Sequence, residues 1–170
     1  VVHLLMQACD ALAEAHAQGI VHRDIKPANL HVGHKGVVSD FLQVLDFGLV
    51  KLGDLDEQGS AASTLTVDGV ITGSPAFLPP ELAGAGSVGP HTDVYALGCV
   101  GYWLATGSLV FPADNGLKMV LAHLNQSPRP PSDHVATIPS DLERVILSCL
   151  EKAPSDRPES AEELRSALSQ

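Results

Sequence analysis

Cysteine is scarce in this chain of 170 residues: only Cys9, Cys99 and Cys149 occur, far apart and odd in number. No two of them have the spacing of a metal-binding pair. Buried free thiols in a reducing compartment are the simpler interpretation. The sequence therefore argues against a disulfide-rich secreted scaffold and against a cysteine-based zinc site.

Basic residues are also few. Ten Lys and Arg stand against 20 Asp and Glu, so the formal net charge is −10. Nucleic acids and anionic lipid surfaces are bound by basic stripes, which makes both of them unfavourable partners for this chain. The balance favours a soluble protein that attracts basic peptides.

Long apolar runs are missing as well. The longest one, residues 94–105, has 12 residues, whereas a membrane-spanning helix needs about 20. This run is therefore expected to form a buried helix. No basic region followed by an apolar stretch marks a signal peptide in these residues.

Apolar residues make up 45% of the chain, which fits one domain with a real core. Their spacing predicts helices at about 2–18, 92–106, 115–124, 140–151 and 160–168, and short strands near 30–32 and 43–45. Gly19 provides a helix stop, and Ser160 with Glu163 has the form of a capping box. Residues 33–42 are expected on the surface, and residues 53–73 as a loop. The predicted fold is mainly α with a minor β-hairpin.

The most informative segment is HRDIKPAN, residues 22–29, which Asp46-Phe47-Gly48 follows downstream. Carboxylate and amide oxygens are the hard ligands that Mg²⁺ prefers. Such a set can hold a divalent cation and a hydroxyl nucleophile around a nucleotide phosphate. The alternative is that Asp24, Asn29 and Asp46 are ordinary turn-forming residues. Under that alternative, the presence of Lys26 and Gly48 in the same two motifs would be a coincidence.

These motifs resemble those of a eukaryotic-type (Hanks-type) protein Ser/Thr kinase, and the resemblance covers nearly the whole chain. Five motifs occur in the family's order: HRDIKPAN, DFG, GSPAFLPPE at residues 73–81, DVYALG at residues 93–98, and Arg157-Pro158. Five ordered motifs are far more specific than one. Residues 79–82 and 149–158 resemble the corresponding segments of bacterial members of this family.

The resemblance is to the C-terminal lobe only. No glycine-rich loop and no lysine-bearing strand precede His22. The implied domain is a protein-kinase-like C-terminal lobe at residues 1–170, from an α+β family fold whose N-terminal lobe is missing. It would contain a catalytic loop at 22–29, a magnesium loop at 46–48 and an activation segment at 46–81. Residues 1–170 alone are therefore expected to be inactive.

The resemblance implies roles for four residues around ATP. Asp24 would accept or orient the proton of the attacking hydroxyl, and Lys26 would offset charge on the transferred phosphoryl group. Asn29 and Asp46 would bind Mg²⁺ or Mn²⁺ between the phosphates. Lys26 at this spacing, together with the Gly73-Ser74 segment, favours Ser or Thr, rather than Tyr, as the acceptor.

Substrate and regulatory roles are implied in the same way. Ser74 stands where the family has a threonine that shapes the substrate site. Arg23 resembles the arginine that reads phosphorylation of the activation loop, with Thr64 and Thr66 as candidate phosphosites. An ordinary loop is the alternative, because other hydroxyls compete: Ser60, Ser63 and Thr72.

Five residues receive structural roles from the resemblance. His22 and Phe47 would pack the catalytic loop against the magnesium loop, since no Ser or Cys is placed to use His22 as a base. Glu81 and Arg157 would form an ion pair. Asp93 would be a favourable acid at a helix N-terminus, an acceptor of backbone N–H groups from the catalytic loop, or both.

A pseudokinase or scaffold is the competing hypothesis. His31 favours it, because kinases usually carry an apolar residue there, packed under the adenine; Pro79 in place of the usual alanine is a milder departure. His31 and His34 do not make a closed metal site. The intact catalytic and metal-binding positions argue for an enzyme.

The partners expected of an enzyme are protein substrates and the missing N-terminal lobe, with no nucleic acid. A cytoplasmic location is expected for this lobe. This segment does not show membrane contact, although the full-length protein can still be membrane-anchored.

Overall fold

The computed structural model describes residues 1–47, 75–84 and 86–170. Six α-helices lie within these residues: α1 (Val2–Ala17), α2 (Pro80–Ala83), α3 (Pro90–Thr106), α4 (Gly116–Asn125), α5 (Ser140–Cys149) and α6 (Ala161–Leu168). Two antiparallel strands, β1 (Leu30–Lys35) and β2 (Val38–Val44), form a hairpin. Short 3₁₀ turns occur at Pro27–Asn29, Pro75–Phe77, Pro131–Asp133 and Pro154–Asp156. The prediction of a mainly helical fold with a minor hairpin is confirmed.

Helix α3 is the centre of the core. Every residue from 92 to 102 is buried, as expected for a helix that is apolar on all sides. Gly107, with φ +71°, ends the helix in the left-handed conformation that suits glycine. Helices α1, α5 and α6 pack around α3, and α1 also packs against β2. None of the described helices has the length and hydrophobicity needed to cross a membrane.

The hairpin differs in extent from the predicted strands. The segment 33–42, expected as a surface connection, is mostly strand, and the turn between the strands contains Gly36 with φ +61°. Side chains here are largely exposed, so no alternation of apolar residues marked the strands. Backbone pairing nevertheless joins the two strands, because the N–H and C=O groups along the edges that face each other are satisfied by it. Gln7 of α1 anchors β2 by donating to Asp40 O and accepting from Leu42 N, at 2.8 and 3.0 Å.

Side chains cap the N-termini of α4 and α6, and the return bond at α6 differs from that of the usual capping box. Asn115 caps α4 by accepting from Lys118 N at 2.9 Å, and Ser160 caps α6 by accepting from Glu163 N at 3.2 Å. The Glu163 carboxylate reaches back to Glu159 N at 2.7 Å. In the usual capping box this return bond goes to the cap residue itself. Here it goes one residue earlier.

A close approach of α3 to α5 depends on Gly98. A Cβ atom at this position would lie 2.5 Å from the Cys149 Cβ and 3.6 Å from the Cys149 carbonyl carbon. We expect Gly98→Ala to lower the free energy of unfolding by roughly 1–3 kcal/mol, because the helices must separate. Chemical denaturation of the purified protein measures this.

Gly101→Ala is the matched control on the same helix. Its Cβ would meet the flexible Leu5 Cδ1 at 3.1 Å, and no backbone atom is among its nearest neighbours. Both substitutions gain the same helix propensity, about 1 kcal/mol, so their difference isolates the steric effect. Equal stability of the two variants would show that the contact between α3 and α5 is not limiting.

Candidate active site

The loop before β1 has an unusual backbone. Arg23 has φ +67°, and Asp46, just after β2, has φ +59°. Residues other than glycine are uncommon in this left-handed region, and such conformations persist where the surroundings impose them. The contacts of the neighbouring residues show which groups hold the backbone in these conformations.

Asp93, in the first turn of α3, holds the loop. Its side chain is 1% exposed, and its carboxylate accepts backbone bonds from His22 N and Arg23 N, both at 2.8 Å. The two N–H groups belong to the successive peptide units before and after His22, so the carboxylate holds the backbone that leads into the left-handed residue Arg23. Asp93 thus combines both suggested interpretations, a helix N-terminal acid and an acceptor of loop N–H groups.

His22 ties the same loop to the end of β2. The imidazole is buried; Nε2 donates to Leu45 O at 2.8 Å, and Nδ1 accepts from Asp24 N at 3.3 Å. These two partners assign a neutral ring with the proton on Nε2. The ring also packs on Phe47, with 4.9 Å between centroids. Since both ring nitrogens are engaged, His22 holds the two loops together and is not free to act as a base.

Asp24 lies at the centre of a small polar set. Lys26 Nζ donates to Asp24 Oδ2 at 2.8 Å, and Asn29 Nδ2 donates to the same oxygen at 3.1 Å. Asn29 Nδ2 also donates to Asp24 O at 2.7 Å. Both side-chain bonds use Oδ2, so neither of them occupies Oδ1. The Asp24 side chain is 37% exposed and can be reached by a substrate.

Asn29 and Asp46 are neighbours through the hairpin. Leu45 N donates to Asn29 O at 2.9 Å, which brings Asp46, the next residue, beside Asn29. Both N–H groups of the Asn29 amide point to Asp24, so its carbonyl oxygen points the other way. The Asp46 residue is exposed. An amide oxygen and a carboxylate on adjacent backbone suit a hard divalent cation, so the residues present fit such an ion.

Glu81 and Arg157 form a bidentate ion pair. Arg157 Nη1 and Nη2 donate to Glu81 Oε1 and Oε2 at 2.9 and 3.0 Å, and the side chains are 0% and 3% exposed. The other three N–H groups of Arg157 donate to backbone oxygens of Glu151, His91 and Lys152. The guanidinium therefore uses all five donors, and it also stacks 4.7 Å from the Tyr95 ring centroid. This pair links α2 to the segment before α6.

A buried polar network beside this pair had no signal in the sequence. Tyr95 OH is 2.9 Å from His123 Nδ1, and Lys152 Nζ is 3.4 Å from Tyr95 OH. Lys152 Nζ also lies 4.5 Å from the Phe111 ring centroid. Burial lowers the Lys152 pKa to about 8, and the charge of Arg157 adds to the effect. No periodicity or motif would have grouped these residues, because they come from different helices and loops.

His123 makes stability depend on pH. Its side chain is fully buried, and burial, assisted by the charge of Lys152, lowers its pKa from 6.5 to about 4. A lowered histidine pKa means that the unfolded chain binds more protons between these values. Neutral His123 therefore makes its full contribution to the free energy of unfolding above pH 6.5, and this contribution is lost as the pH falls to 4.

The loss attributable to His123 should reach about 3 kcal/mol at pH 4. Denaturant unfolding of the wild type and of His123→Phe at pH 7, 5.5 and 4 measures it. We expect the variant to show the shallower decline, since Phe has no proton to take up. Parallel curves for both proteins would contradict the assignment to His123.

The remaining predicted residues divide into two groups. Arg23 is exposed, as a residue that reads a phosphate must be, and His31 is exposed on β1, opposite Gln43. Four predicted positions lie outside the described residues: Gly48, Thr64, Thr66 and Ser74. Sequence reasoning missed His16, which it treated as part of a helical pattern. His16 Nε2 is 2.8 Å from Asp93 Oδ2.

Comparison with known proteins shows which family the chain belongs to. Residues 1–168 match the family model described as protein kinase domain. The chain belongs to the protein kinase family. Relatives include the serine/threonine-protein kinases pkn3 and Pkn1 of Myxococcus xanthus, 39% and 41% identical over 99% of this chain. PknB of Mycobacterium tuberculosis is 34% identical over 98%. The predicted resemblance to bacterial Ser/Thr kinases is thus confirmed.

A solved kinase structure has the same fold. The twitchin kinase region from C. elegans superposes with a TM-score of 0.74 and 27% identity, covering 92% of this chain and 26% of that one. The kinase segment described here spans 30%, 23% and 25% of the three bacterial relatives. Protein kinases in general use ATP and a divalent metal ion.

Proposed function

We propose that this segment is the C-terminal lobe of a protein serine/threonine kinase that transfers the γ-phosphoryl group of ATP to Ser and Thr hydroxyls of proteins. The observation that carries the proposal is the set of bonds from Lys26 and Asn29 to one oxygen of Asp24, with Asp46 alongside. Positioning and charge stabilisation dominate phosphoryl transfer. The set supplies both in one place.

Each side chain of the set has one task in this proposal. Asp24 orients the acceptor hydroxyl and takes its proton at Oδ1, the oxygen that Lys26 and Asn29 leave open. Lys26, held at 2.8 Å from Asp24, brings positive charge to the transferred group. Asn29 and Asp46 hold Mg²⁺. An ion bound there would supply positive charge against the phosphates.

The choice of Ser and Thr as acceptors rests on Lys26. A lysine two residues after Asp24 is the feature that the resemblance links to Ser/Thr kinases, and the named relatives are of that type. We further propose that Ser74 shapes the substrate site. Arg23 would read a phosphate on Thr64 or Thr66, and its exposure supports this role.

Protein substrates with basic segments fit the net charge of −10. Three buried free cysteines support a cytoplasmic location, where thiols stay reduced. The proposal also requires a glycine-rich loop and a phosphate-gripping lysine from an N-terminal lobe, which residues 1–170 do not contain.

The test uses the full-length protein that contains residues 1–170. It is incubated with radiolabelled ATP, Mg²⁺ and basic peptides that offer Ser, Thr or Tyr, and the phosphorylated residue is identified. We expect phosphoserine and phosphothreonine, and their loss in Asp46→Asn. Transfer to Tyr alone, or full activity of Asp46→Asn, would refute the proposal.

A pseudokinase is the second candidate, favoured by the exposed His31 on β1. Titration of the same full-length protein with ATP, with and without Mg²⁺, separates the two candidates. Mg²⁺-dependent binding together with turnover supports the enzyme. Binding without turnover, or no binding, supports the scaffold.

Residues 1–170 produced alone should transfer no phosphoryl group, because half of the phosphate-binding apparatus is absent. The same assay with the isolated segment checks this against the full-length protein. Measurable transfer by the segment alone would show that the other lobe is dispensable.

A further inference from the structure

A buried polar network joins α3, α4 and the segment after α5. Lys152 Nζ lies 3.4 Å from Tyr95 OH, and Tyr95 OH lies 2.9 Å from His123 Nδ1. Tyr95 and His123 are fully buried. The bonds proposed for phosphoryl transfer involve none of these three residues, so the network is available for another task.

The direction of each hydrogen bond in this network follows from the chemistry of its members. A lysine ammonium group can only donate, so the Tyr95 oxygen accepts from Lys152. The Tyr95 hydroxyl has its own proton to donate, and His123 Nδ1 accepts it. Burial, assisted by the charge of Lys152, lowers the pKa of His123 to about 4, so the ring is neutral at neutral pH. A neutral imidazole that accepts at Nδ1 carries its proton on Nε2.

The His123 ring lies beside the turn Pro75–Phe77. Helix α4 packs against this turn, and the backbone oxygen of Ala76 is near enough to oppose the fall in the His123 pKa. His123 Nε2 is buried and has no hydrogen-bond partner within the described residues. A buried N–H group that stays unpaired is unfavourable, so the network presents a donor that needs an acceptor next to the Ala76 carbonyl.

We propose that His123 is a positioning residue for the protein substrate: its Nε2–H group bonds the backbone oxygen of Ala76 when a peptide binds and holds the turn after Ser74 in the receiving orientation. Functional hydrogen bonds are often long in a free enzyme and tighten when the substrate binds. The inference rests on the proposed function, in which Ser74 shapes the substrate site. The position of the His123 proton does not rest on that function and is tested separately.

Two pairs of variants of the full-length protein test the proposal. His123→Gln can place an amide N–H group near the position of Nε2, whereas the shorter His123→Asn reaches only the position of Nδ1. Tyr95→Phe removes the hydroxyl that fixes the proton on Nε2. Tyr102→Phe is its matched control on α3, because the Tyr102 hydroxyl is buried and has no hydrogen-bond partner within the described residues.

We expect His123→Asn to raise KM for a basic acceptor peptide roughly three- to tenfold, the ratio that corresponds to one hydrogen bond. KM for ATP and kcat should change little, since the lost bond serves peptide binding. His123→Gln should stay close to the wild type. Tyr95→Phe should raise the peptide KM less than His123→Asn, because its ring can still carry the proton on Nε2, and Tyr102→Phe should leave the peptide KM unchanged.

Nitrogen-15 NMR of labelled histidines locates the proton directly. The signal that disappears in His123→Gln belongs to His123. We expect the wild-type ring to carry its proton on Nε2, and the Tyr95→Phe ring to be a mixture of both neutral forms.

Equal peptide KM values for His123→Asn and His123→Gln would overturn the proposal, and so would a wild-type ring with its proton on Nδ1. A rise in peptide KM that is the same for Tyr95→Phe and Tyr102→Phe would attribute the effect to the loss of any buried hydroxyl, and the proposal fails. If neither His123 variant folds, the comparison of these two variants decides alone. If the wild type transfers no phosphate, the proposed function fails, and the NMR spectrum still decides where the His123 proton lies.

Discussion

Asp24→Asn should reduce kcat for phosphoryl transfer by roughly 10²–10⁴-fold, the range typical for loss of a general base. The substitution changes little else. The amide oxygen of asparagine can still accept from Lys26 Nζ and Asn29 Nδ2, which both bond to Oδ2 in the wild type. The other carboxylate oxygen, however, becomes an NH₂ group, which cannot accept the proton of the acceptor hydroxyl.

Steady-state kinetics of the full-length protein measure this effect. KM for ATP should change much less than kcat, because Asn29 and Asp46 are untouched. Asp141→Asn is the matched control; Asp141 is 80% exposed and contacts only Arg144 among the ion pairs of the described residues. If Asp24→Asn retains kcat within a factor of about ten, less than a lost general base should cost, another group must accept the proton.

Local spacing was enough to predict the residues around Asp24. Asp24, Lys26 and Asn29 lie within six positions of one another, and a short loop with a 3₁₀ turn brings residues this near in sequence close together in space. Asp93 adds the tertiary support of the loop. Asp46 needed one tertiary element, the hairpin. The pairing of Leu30 with Val44 places Leu45, the residue after β2, beside Asn29, the residue before β1, and Asp46 follows Leu45 directly.

Contacts between distant parts of the chain could not be predicted from pattern. His16 and Asp93 are 77 positions apart, and the spacing that predicts a helix over 2–18 indicates no further role for His16. The burial of His123 could not be predicted either, because the residue lies in a helix with a rather polar sequence. The pairing of Glu81 with Arg157 came from the resemblance to the family, since no spacing rule connects residues 76 positions apart.

The extent of the hairpin shows a different limit. Its outer residues face solvent on both sides, so a strand there has no alternation of apolar and polar residues to reveal it. Helix α3 is the opposite case. Because α3 is buried on every side, its sequence is an almost continuous apolar run, and this run predicts a buried helix directly.

Loss of Arg157 should strongly lower the stability of the protein. Arg157→Met removes all five donors and leaves the Glu81 carboxylate, 3% exposed, without its partner. Breaking a buried pair in this way costs about 3–5 kcal/mol in unfolding free energy. Denaturant unfolding of the purified protein measures this. Arg144→Met, at a pair whose side chains are 65% and 80% exposed, should leave stability nearly unchanged.

A double-mutant cycle with Glu81→Gln separates the ion pair from the other contacts of Arg157. Removing the buried charge of Glu81 relieves part of the cost of Arg157→Met, so the double variant should be more stable than the sum of the single effects predicts. The remaining loss of unfolding free energy comes from the hydrogen bonds of Arg157 with the backbone oxygens of residues 91, 151 and 152 and from its contact with Tyr95. Strict additivity would mean that Glu81 and Arg157 do not stabilise each other, and that Arg157 acts only as an organiser of backbone oxygens.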